Sequence, residues 1–373
     1  MKIQKKMSTS FRATFDYSPL DLTFKFDAGT SRGILKAKTS YIIKVNSSAF
    51  PTKTGFGEAG PLPKLSIDDI PDFETVLENY ITTLEQIEIP GEEHELLLFL
   101  ESVIQNEHPS IRFAFETALL DLINGGKRQI FDSQPLSALP VIPINGLIWM
   151  GDRKFMLSQI DKKLQEGYTC VKMKIGAIDF NTECELLGYI RKNFSSKEIS
   201  LRVDANGAFN VSQAMKKLEA LSKYDIHSIE QPIKQGNWEA MADLCARSPV
   251  SIALDEELIG INDYEEKARL LHFINPSYII LKPTLLGGIK KTLDWITIAE
   301  KQNIAWWMTS ALESNIGLNV IYQLTSRLKP SLPQGLGTGQ LYEKNIDSPL
   351  RVHKGNIHYD QGVYWEDIGG YFK

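Results

Sequence analysis

The chain has 373 residues, of which 43% are hydrophobic and 23% are charged, and its net charge at neutral pH is −5. This ordinary globular composition excludes a disordered or collagen-like protein, and no apolar run reaches the ~18 residues that a membrane helix needs. The basic start MKIQKKMSTSFRATF is not followed by an apolar stretch, so it does not predict a secretory signal. A mildly acidic chain without a long basic run is a poor candidate for binding nucleic acid or anionic membranes.

The cysteine content bears on the cellular compartment. Cys170, Cys184 and Cys245 are an odd number of cysteines and form no CxxC pair. Such a set favours buried thiols in a reducing compartment over a disulfide framework. We therefore expect a soluble cytoplasmic protein, and its length leaves room for two domains.

The first 135 residues carry separate strand and helix signals. The segments FRATFDYSPLDLTFKFDAG and TSYIIKVNS show the alternation and flanking turn residues of antiparallel strands. Helical patterns follow over residues 67–87 and 109–125, and the second ends at Gly125-Gly126. A block of strands followed by a block of helices predicts an α+β domain over residues 1–135.

From residue 139 onwards, short β-branched runs alternate with amphipathic helical stretches. The runs begin near residues 141, 170, 200, 227, 251, 277, 304 and 332. Each interval accommodates one strand, one crossover helix and two loops. Eight such units predict a (β/α) barrel over residues 136–340, with an open doubly wound sheet as the alternative because periodicity does not prove closure.

One ionisable residue ends each of five consecutive predicted strands. In chain order these residues are Lys174, Asp204, Glu230, Asp255 and Lys282. The carboxyl ends of barrel strands meet at one mouth, where the chemistry of such folds is found. Because charged groups are costly to bury without partners, five in register predict an active site.

The three acids come from adjacent strands and can converge on one point. Such close carboxylates repel one another unless a cation lies between them. No histidine or cysteine joins them, and an all-oxygen set favours Mg²⁺ or Mn²⁺ over Zn²⁺. We therefore expect Asp204, Glu230 and Asp255 to bind a metal that also takes an oxygen of a small-molecule carboxylate. The alternative is that they pair with lysines or cap the following helices.

The lysines flank these acids. Lys172 and Lys174 are two residues apart on one strand, so both project to the same side. Like charge and burial are expected to lower both pKa values, and a neutral amine can take a proton. Lys282 projects from the opposite wall. Together these groups predict proton abstraction α to a carboxylate through an enediolate.

These motifs resemble the enolase superfamily, and specifically its muconate-lactonizing subgroup. They are VKMKIG, DANGAF, EQP, the Asp255-Glu256 pair, LKPTLLGG and TGFGEAGPLP, the last resembling the segment with which the family's cap closes over the barrel. The resemblance covers nearly the whole chain. It implies a (β/α)7β-type modified TIM barrel with an N-terminal α+β capping domain, which the C-terminal segment 341–373 completes.

The resemblance also implies roles for the strand-end residues. Lys174 and Lys282, with Lys172 beside them, would flank the substrate, and the three acids would hold Mg²⁺. TSALESNIGLN (309–319) and GLGTGQLYEKN (335–345) resemble the o-succinylbenzoate synthase family. That likeness implies syn dehydration of 2-succinyl-6-hydroxy-2,4-cyclohexadiene-1-carboxylate in menaquinone biosynthesis. N-succinyl amino acid racemase and muconate cycloisomerase activities use the same barrel residues and stay open.

Weaker signals complete the set of expectations. Ser310, Asn206 and Arg32 are expected to contact the substrate, with Arg32 on a mobile loop over residues 28–38. Gly287-Gly288 could present backbone N–H groups to an anion, and GLGTGQ is a poor dinucleotide signature. Two different classes remain as rivals: a Schiff-base lyase using Lys282, and a non-catalytic scaffold barrel. Whether the protein forms a homo-oligomer is left open.

Overall fold

The structure is a computed structural model that describes residues 10–30, 33–133 and 135–372. Its strands are β1 (Thr14–Thr30), β2 (Gly33–Asn46), β3 (Thr54–Ala59), β4 (Ile142–Pro143), β5 (Gly146–Ile148), β6 (Cys170–Lys174), β7 (Ser200–Asp204), β8 (Ile226–Glu230), β9 (Ile252–Leu254), β10 (Tyr278–Leu281), β11 (Ala305–Met308), β12 (Leu350–His353) and β13 (Asn356–Tyr359). Its α-helices are α1 (Phe73–Glu85), α2 (Glu93–Val103), α3 (Pro109–Ile123), α4 (Arg153–Gln165), α5 (Phe180–Asn193), α6 (Val211–Leu221), α7 (Trp238–Arg247), α8 (Tyr264–Ile274), α9 (Pro283–Leu286), α10 (Gly288–Lys301) and α11 (Asn315–Leu328). In this part of the chain no helix is long and apolar enough to cross a bilayer.

The N-terminal part, here called the cap, consists of β1–β3 and α1–α3. Its strands form an antiparallel sheet in the order β1-β2-β3. The sheet lies close to α3. A Cβ added at Gly57 would be only 2.1 Å from the carbonyl oxygen of Ala114. Glycine on β3 therefore allows sheet and helix backbones to pack directly against each other.

The barrel is a parallel sheet in the order β5-β6-β7-β8-β9-β10-β11. Residues 334–335 close it. The Asn145 N–H, directly before β5, donates to Gln334 O at 2.9 Å, and the Gly335 N–H donates to Met308 O of β11 at 2.8 Å, so this segment joins the two edges of the sheet. The barrel predicted from the repeat is therefore confirmed over the open sheet.

Two fully buried glutamates of the cap bind the N-termini of barrel helices. Glu58 on β3 accepts hydrogen bonds from the N–H groups of Ser314 (2.8 Å) and Gly317 (2.9 Å) at the start of α11. Glu116 on α3 accepts from the Ile289 N–H at the start of α10. The N-terminus of a helix carries a partial positive charge, which favours both carboxylates. A carboxyl group of the protein itself thus lies against Gly288, where an anion was expected, and the N–H that it binds belongs to Ile289.

The C-terminal segment returns to the cap. β12 and β13 form a second antiparallel sheet with β4, and Phe372 packs on Phe56 of β3 with ring centroids 5.8 Å apart. The guanidinium of Arg128 lies 3.9 Å from the same Phe56 ring. The domain limits 1–135, 136–340 and 341–373 stay a prediction.

Two expectations about local structure were wrong. Residues 28–38 were expected to form a loop, but β1 and β2 pair through most of this range. Arg32 lies outside the described residues. The first barrel run was expected from residue 141, but residues 142–143 pair with β13, and the barrel strand β5 begins at Gly146.

The first testable prediction concerns Glu116. Burial raises the pKa of Glu116 from 4.5 to about 8. The folded chain then binds more protons at this site than the unfolded chain between these pH values, so the contribution of Glu116 to stability falls as pH rises through that window. Between pH 5 and 8 the unfolding free energy of the wild type should therefore fall by about 3 kcal/mol more than that of Glu116→Gln, measured in urea titrations.

An exposed residue supplies the control for this experiment. Glu95→Gln on α2 should keep the wild-type pH dependence, because Glu95 is exposed. Equal pH dependence in the wild type and in Glu116→Gln would mean that Glu116 is ionised throughout this range.

Candidate active site

The register of the barrel strands brings the predicted charged residues to one end. Lys174 is the Cα partner of Asp204, and Asp204 is the partner of Glu230. Asp255 and Lys282 directly follow β9 and β10 at the same end. The structure therefore brings all five strand-end residues together.

Their side chains form buried ion pairs. Lys172 Nζ lies 2.9 Å from Asp204 Oδ2 and 2.5 Å from Glu230 Oε2. Lys174 Nζ lies 3.2 Å from Asp204 Oδ2, and Lys282 pairs with Asp255. A lysine thus contacts each of the three acids.

Asn206 fixes the amine of Lys174 from a second direction. Lys174 Nζ donates to Asn206 Oδ1 at 2.7 Å, while the Asn206 side chain donates to Glu256 at 3.0 Å. The backbone of Asn206 is left-handed (φ 43°), a conformation that asparagine tolerates better than most residues. Lys174 Nζ also lies 5.7 Å from the Trp149 ring centroid. Asn206 was expected to bind substrate, and it both lines the cavity and orients Lys174.

The pKa values of the three lysines differ in direction. Burial lowers the pKa of Lys174, and the charge of Asp204 opposes this only in part. The expectation was wrong for Lys172: burial lowers its pKa, but the charges of Asp204 and Glu230 outweigh burial and raise it above the usual value. For Lys282 the charge of Asp255 likewise outweighs burial and raises the pKa. Lys174 is therefore the lysine best suited to take a proton.

The acids also differ from one another. Burial and the charge of Asp204 raise the pKa of Glu230 to about 8. Burial would raise the pKa values of Asp204 and Asp255 too, but the lysine charges lower them. Glu230 Oε1 has no hydrogen-bond partner in the described chain.

The oxygen atoms of Asp204, Glu230 and Asp255 are candidate ligands of a divalent cation. Three buried carboxylates supply only oxygen atoms, the ligands that hard cations prefer, and Glu230 Oε1 remains unpaired. Among the residues that the structure describes, no three acidic, histidine or cysteine side chains already surround a single point. Lysine ammonium groups lie against the acids instead. The oxygen donors are of the type that a hard cation prefers, whereas their positions correspond to pairing with lysines, the alternative that the sequence left open.

A cavity of about 730 Å³ lies between the cap and the barrel mouth. Its lining includes Lys172, Lys174, Asp204, Asn206, Lys282 and Ser310 from the barrel, and Leu35 and Leu62 from the cap. Glu230 and Asp255 contact the lining lysines. The site therefore combines a charged floor with apolar side chains from the cap.

Two residues of the site were not anticipated. Trp149 directly follows β5 and lines the cavity, and Glu313 accepts a hydrogen bond from Ser310 at 2.5 Å. Trp149 could have been found by asking which residue follows the carboxyl end of the first barrel strand, as was done for the later strands. Glu313 could have been found as an acid three residues after Ser310, in the segment that follows β11.

Comparison with known proteins extends these observations. Residues 156–363 match a family model described as enolase C-terminal domain-like. The chain is 42% identical to o-succinylbenzoate synthase of Desulfotalea psychrophila, over 91% of this chain and 97% of that protein. The crystal structure of MenC from Desulfotalea psychrophila has a TM-score of 0.82 and 40% identity, over 93% and 99% of the two chains.

A more distant structure shows the same fold. Muconate lactonizing enzyme from Pseudomonas fluorescens has a TM-score of 0.79 at 23% identity, over 97% of this chain and 96% of that chain. The expected modified TIM barrel with its N-terminal capping domain is confirmed.

The buried ion pairs generate the second prediction. Lys172→Met leaves Asp204 and Glu230 without the ammonium group that they share, and breaking such a pair costs about 3–5 kcal/mol. We expect a loss of this size in the unfolding free energy at pH 8, measured in urea with a chelator present. The loss should be smaller at pH 5, because Glu230, with a pKa of about 8, is then protonated.

An exposed ion pair supplies the control for Lys172→Met. Lys162 lies 3.9 Å from Glu166, and its side chain is 71% exposed. Lys162→Met should change stability by less than about 1 kcal/mol. Unchanged stability of Lys172→Met at pH 8 would contradict the prediction.

Proposed function

Since the chain belongs to the enolase C-terminal domain-like family, we propose that it is an o-succinylbenzoate synthase of the enolase superfamily. It dehydrates 2-succinyl-6-hydroxy-2,4-cyclohexadiene-1-carboxylate to the aromatic product, in menaquinone biosynthesis. The observation that carries this proposal is the 42% identity to a synthase along 97% of that enzyme's length. Lys174 and Lys282, which face one cavity beside the three acids, also support the proposal.

Lys174 is the proposed base. Its neutral amine takes the proton α to the ring carboxylate and then gives it to the departing hydroxyl on the same face of the ring. One C–H bond and one C–O bond break, water leaves, and the ring becomes aromatic. Asn206 holds Lys174 Nζ in place at 2.7 Å during both transfers.

Lys282 is the proposed electrostatic partner. The raised pKa of Lys282 beside Asp255 keeps it charged. A fixed ammonium group in a water-poor cavity stabilises the negative charge that develops on the substrate carboxylate. Lys172 remains paired with Asp204 and Glu230 and keeps these side chains in position.

Asp204, Glu230 and Asp255 are the proposed ligands of a divalent cation. The all-oxygen donor set favours Mg²⁺, with Mn²⁺ as a substitute. When bound, the ion neutralises charge on the carboxylate of the substrate. The unpaired Glu230 Oε1 supports this assignment.

The other classes fit the site less well. A Schiff-base lyase needs a neutral nucleophilic amine, whereas Asp255 raises the pKa of Lys282. A scaffold protein has no need of three buried lysines facing three buried acids. Racemisation of N-succinyl amino acids and muconate cycloisomerisation remain alternatives within the superfamily. A cytoplasmic location stays a prediction.

The third prediction is the direct test of the proposed function. We expect the protein with Mg²⁺ to convert the cyclohexadiene substrate to o-succinylbenzoate, followed by ultraviolet absorbance. Exhaustive chelation should abolish conversion, and Mg²⁺ or Mn²⁺ should restore it. N-succinyl amino acids and muconate are assayed in parallel. No conversion, together with rapid α-proton exchange of N-succinyl amino acids in D₂O, would reject the synthase in favour of a racemase.

The fourth prediction separates the two lysines. Lys174→Met should lower kcat by about 10³-fold, as loss of a general base does. In the wild type kcat/KM should fall as pH drops, because a protonated Lys174 cannot take a proton. Lys282→Met should lower kcat while the acid limb of the pH profile remains.

The matched control for both lysine variants is Lys197→Met. Lys197 is exposed, lies outside the cavity lining and should leave kcat unchanged. Full activity of Lys174→Met would contradict its assignment as the base.

A further inference from the structure

The hydroxyl group of Ser310 is held in one orientation at the edge of the cavity. The Leu312 N–H donates to Ser310 Oγ at 3.0 Å, and Ser310 Oγ donates to Glu313 Oε2 at 2.5 Å. Ser310 is 4% exposed and lines the cavity. A hydroxyl group has one hydrogen and two lone pairs. The hydrogen and one lone pair are therefore already engaged.

Glu313 determines this orientation. It is fully buried, and its second oxygen accepts a hydrogen bond from Thr284 at 2.5 Å. Both hydroxyl groups, those of Ser310 and Thr284, donate to the side chain of Glu313. The Ser310 hydrogen consequently points to Glu313 rather than into the cavity.

The cap supplies a positive charge near Glu313. Lys38 on β2 is 3% exposed, and its Nζ donates to Gly60 O at 3.2 Å. Burial lowers the pKa of Lys38, and the charges of Glu58 and Glu313 oppose that shift. Lys38 is therefore a cap residue that interacts electrostatically with both Glu58 and Glu313.

We propose that Ser310 and Glu313 form a hydrogen-bond acceptor subsite that recognises a hydroxyl group of the substrate. Ser310 Oγ accepts this bond through its free lone pair, and because its hydrogen is engaged by Glu313 it donates to no carboxylate of the substrate. Glu313 is the positioning residue that sets the polarity of Ser310. The inference rests on the proposed function, whose substrate carries a ring hydroxyl that its product lacks. The subsite thus distinguishes substrate from product.

The first experiment compares substrate and product in Ser310→Ala. The KM for the substrate should rise about fivefold, the effect of one neutral hydrogen bond. The inhibition constant of o-succinylbenzoate should stay within a factor of about two, because the product donates no hydrogen bond. Equal weakening of both ligands would overturn the inference, since Ser310 would then donate to a carboxylate.

A buried serine outside the cavity provides the matched control. Ser326 on α11 donates to Tyr322 O at 2.7 Å and does not line the cavity. Ser326→Ala should leave both constants unchanged. This comparison removes the general effect of deleting a buried hydroxyl group.

The second experiment tests Glu313. Glu313→Leu removes the acceptor, so the Ser310 hydrogen is free to turn towards the cavity and donate to a product carboxylate. Calorimetry should show product binding tightened by about threefold, the effect of one hydrogen bond. In the Ser310→Ala background the same substitution should leave product affinity unchanged, which a purely structural role of Glu313 would not predict. Unchanged or weaker product binding in folded Glu313→Leu overturns the inference.

Turnover by the wild type distinguishes failure of the proposed function from failure of the subsite alone. No conversion of the substrate by the wild type overturns the proposed function and the subsite with it. Conversion by the wild type together with equal losses for substrate and product in Ser310→Ala overturns the subsite alone. If Glu313→Leu does not fold, the Ser310→Ala comparison still decides between these outcomes.

Discussion

Charged side chains buried at the barrel mouth are stable only when charges of opposite sign lie beside them. Three lysines and three acids lie there, and each acid contacts a lysine. The order of the strands places the acids on β7, β8 and directly after β9, between the lysines of β6 and the lysine that follows β10. Since the proposed base Lys174 is a neutral amine and the raised pKa of Glu230 favours its protonated form, Lys172 and Lys282 balance the charges of Asp204 and Asp255. In the proposed function a divalent cation would add positive charge, which an ionised Glu230 and the carboxylates of the substrate would balance.

The cap contributes charges to the barrel as well as an apolar wall. Glu58 and Glu116 bind the N-termini of α11 and α10, which follow the strands that end near Ser310 and Lys282. Lys38 adds a cation beside Glu58 and Glu313. The same electrostatic contacts that dock the cap therefore also position the residues that follow β10 and β11. A substitution in this interface can alter substrate binding without touching the substrate.

The sequence predicted the barrel and its charged mouth because both follow from local patterns. Parallel strands buried on both faces form short apolar runs, and β6 and β7 begin at the expected residues 170 and 200. Such local patterns do not predict contacts between segments that are distant in the sequence. The raised pKa of Lys172 depends on Asp204 and Glu230 on the two following strands, whereas the prediction from the sequence rested on burial and on the like charge of Lys174. Similarly, the pairing of residues 142–143 with β13 joins segments more than 200 residues apart.

The glycine-rich segment after α11 shows why a motif must be judged in its fold. A Cβ at Gly335 would lie 2.5 Å from Thr309 Oγ1, and one at Gly339 would lie 2.5 Å from Asn315 Oδ1. Real Cβ atoms are not found so close to other atoms, so these glycines allow the last strand segment to approach its neighbours. At Gly337 a Cβ would meet Ile144 at 3.4 Å, an ordinary contact. Barrel closure thus explains Gly335, and close packing on α11 explains Gly339, with no need for a nucleotide.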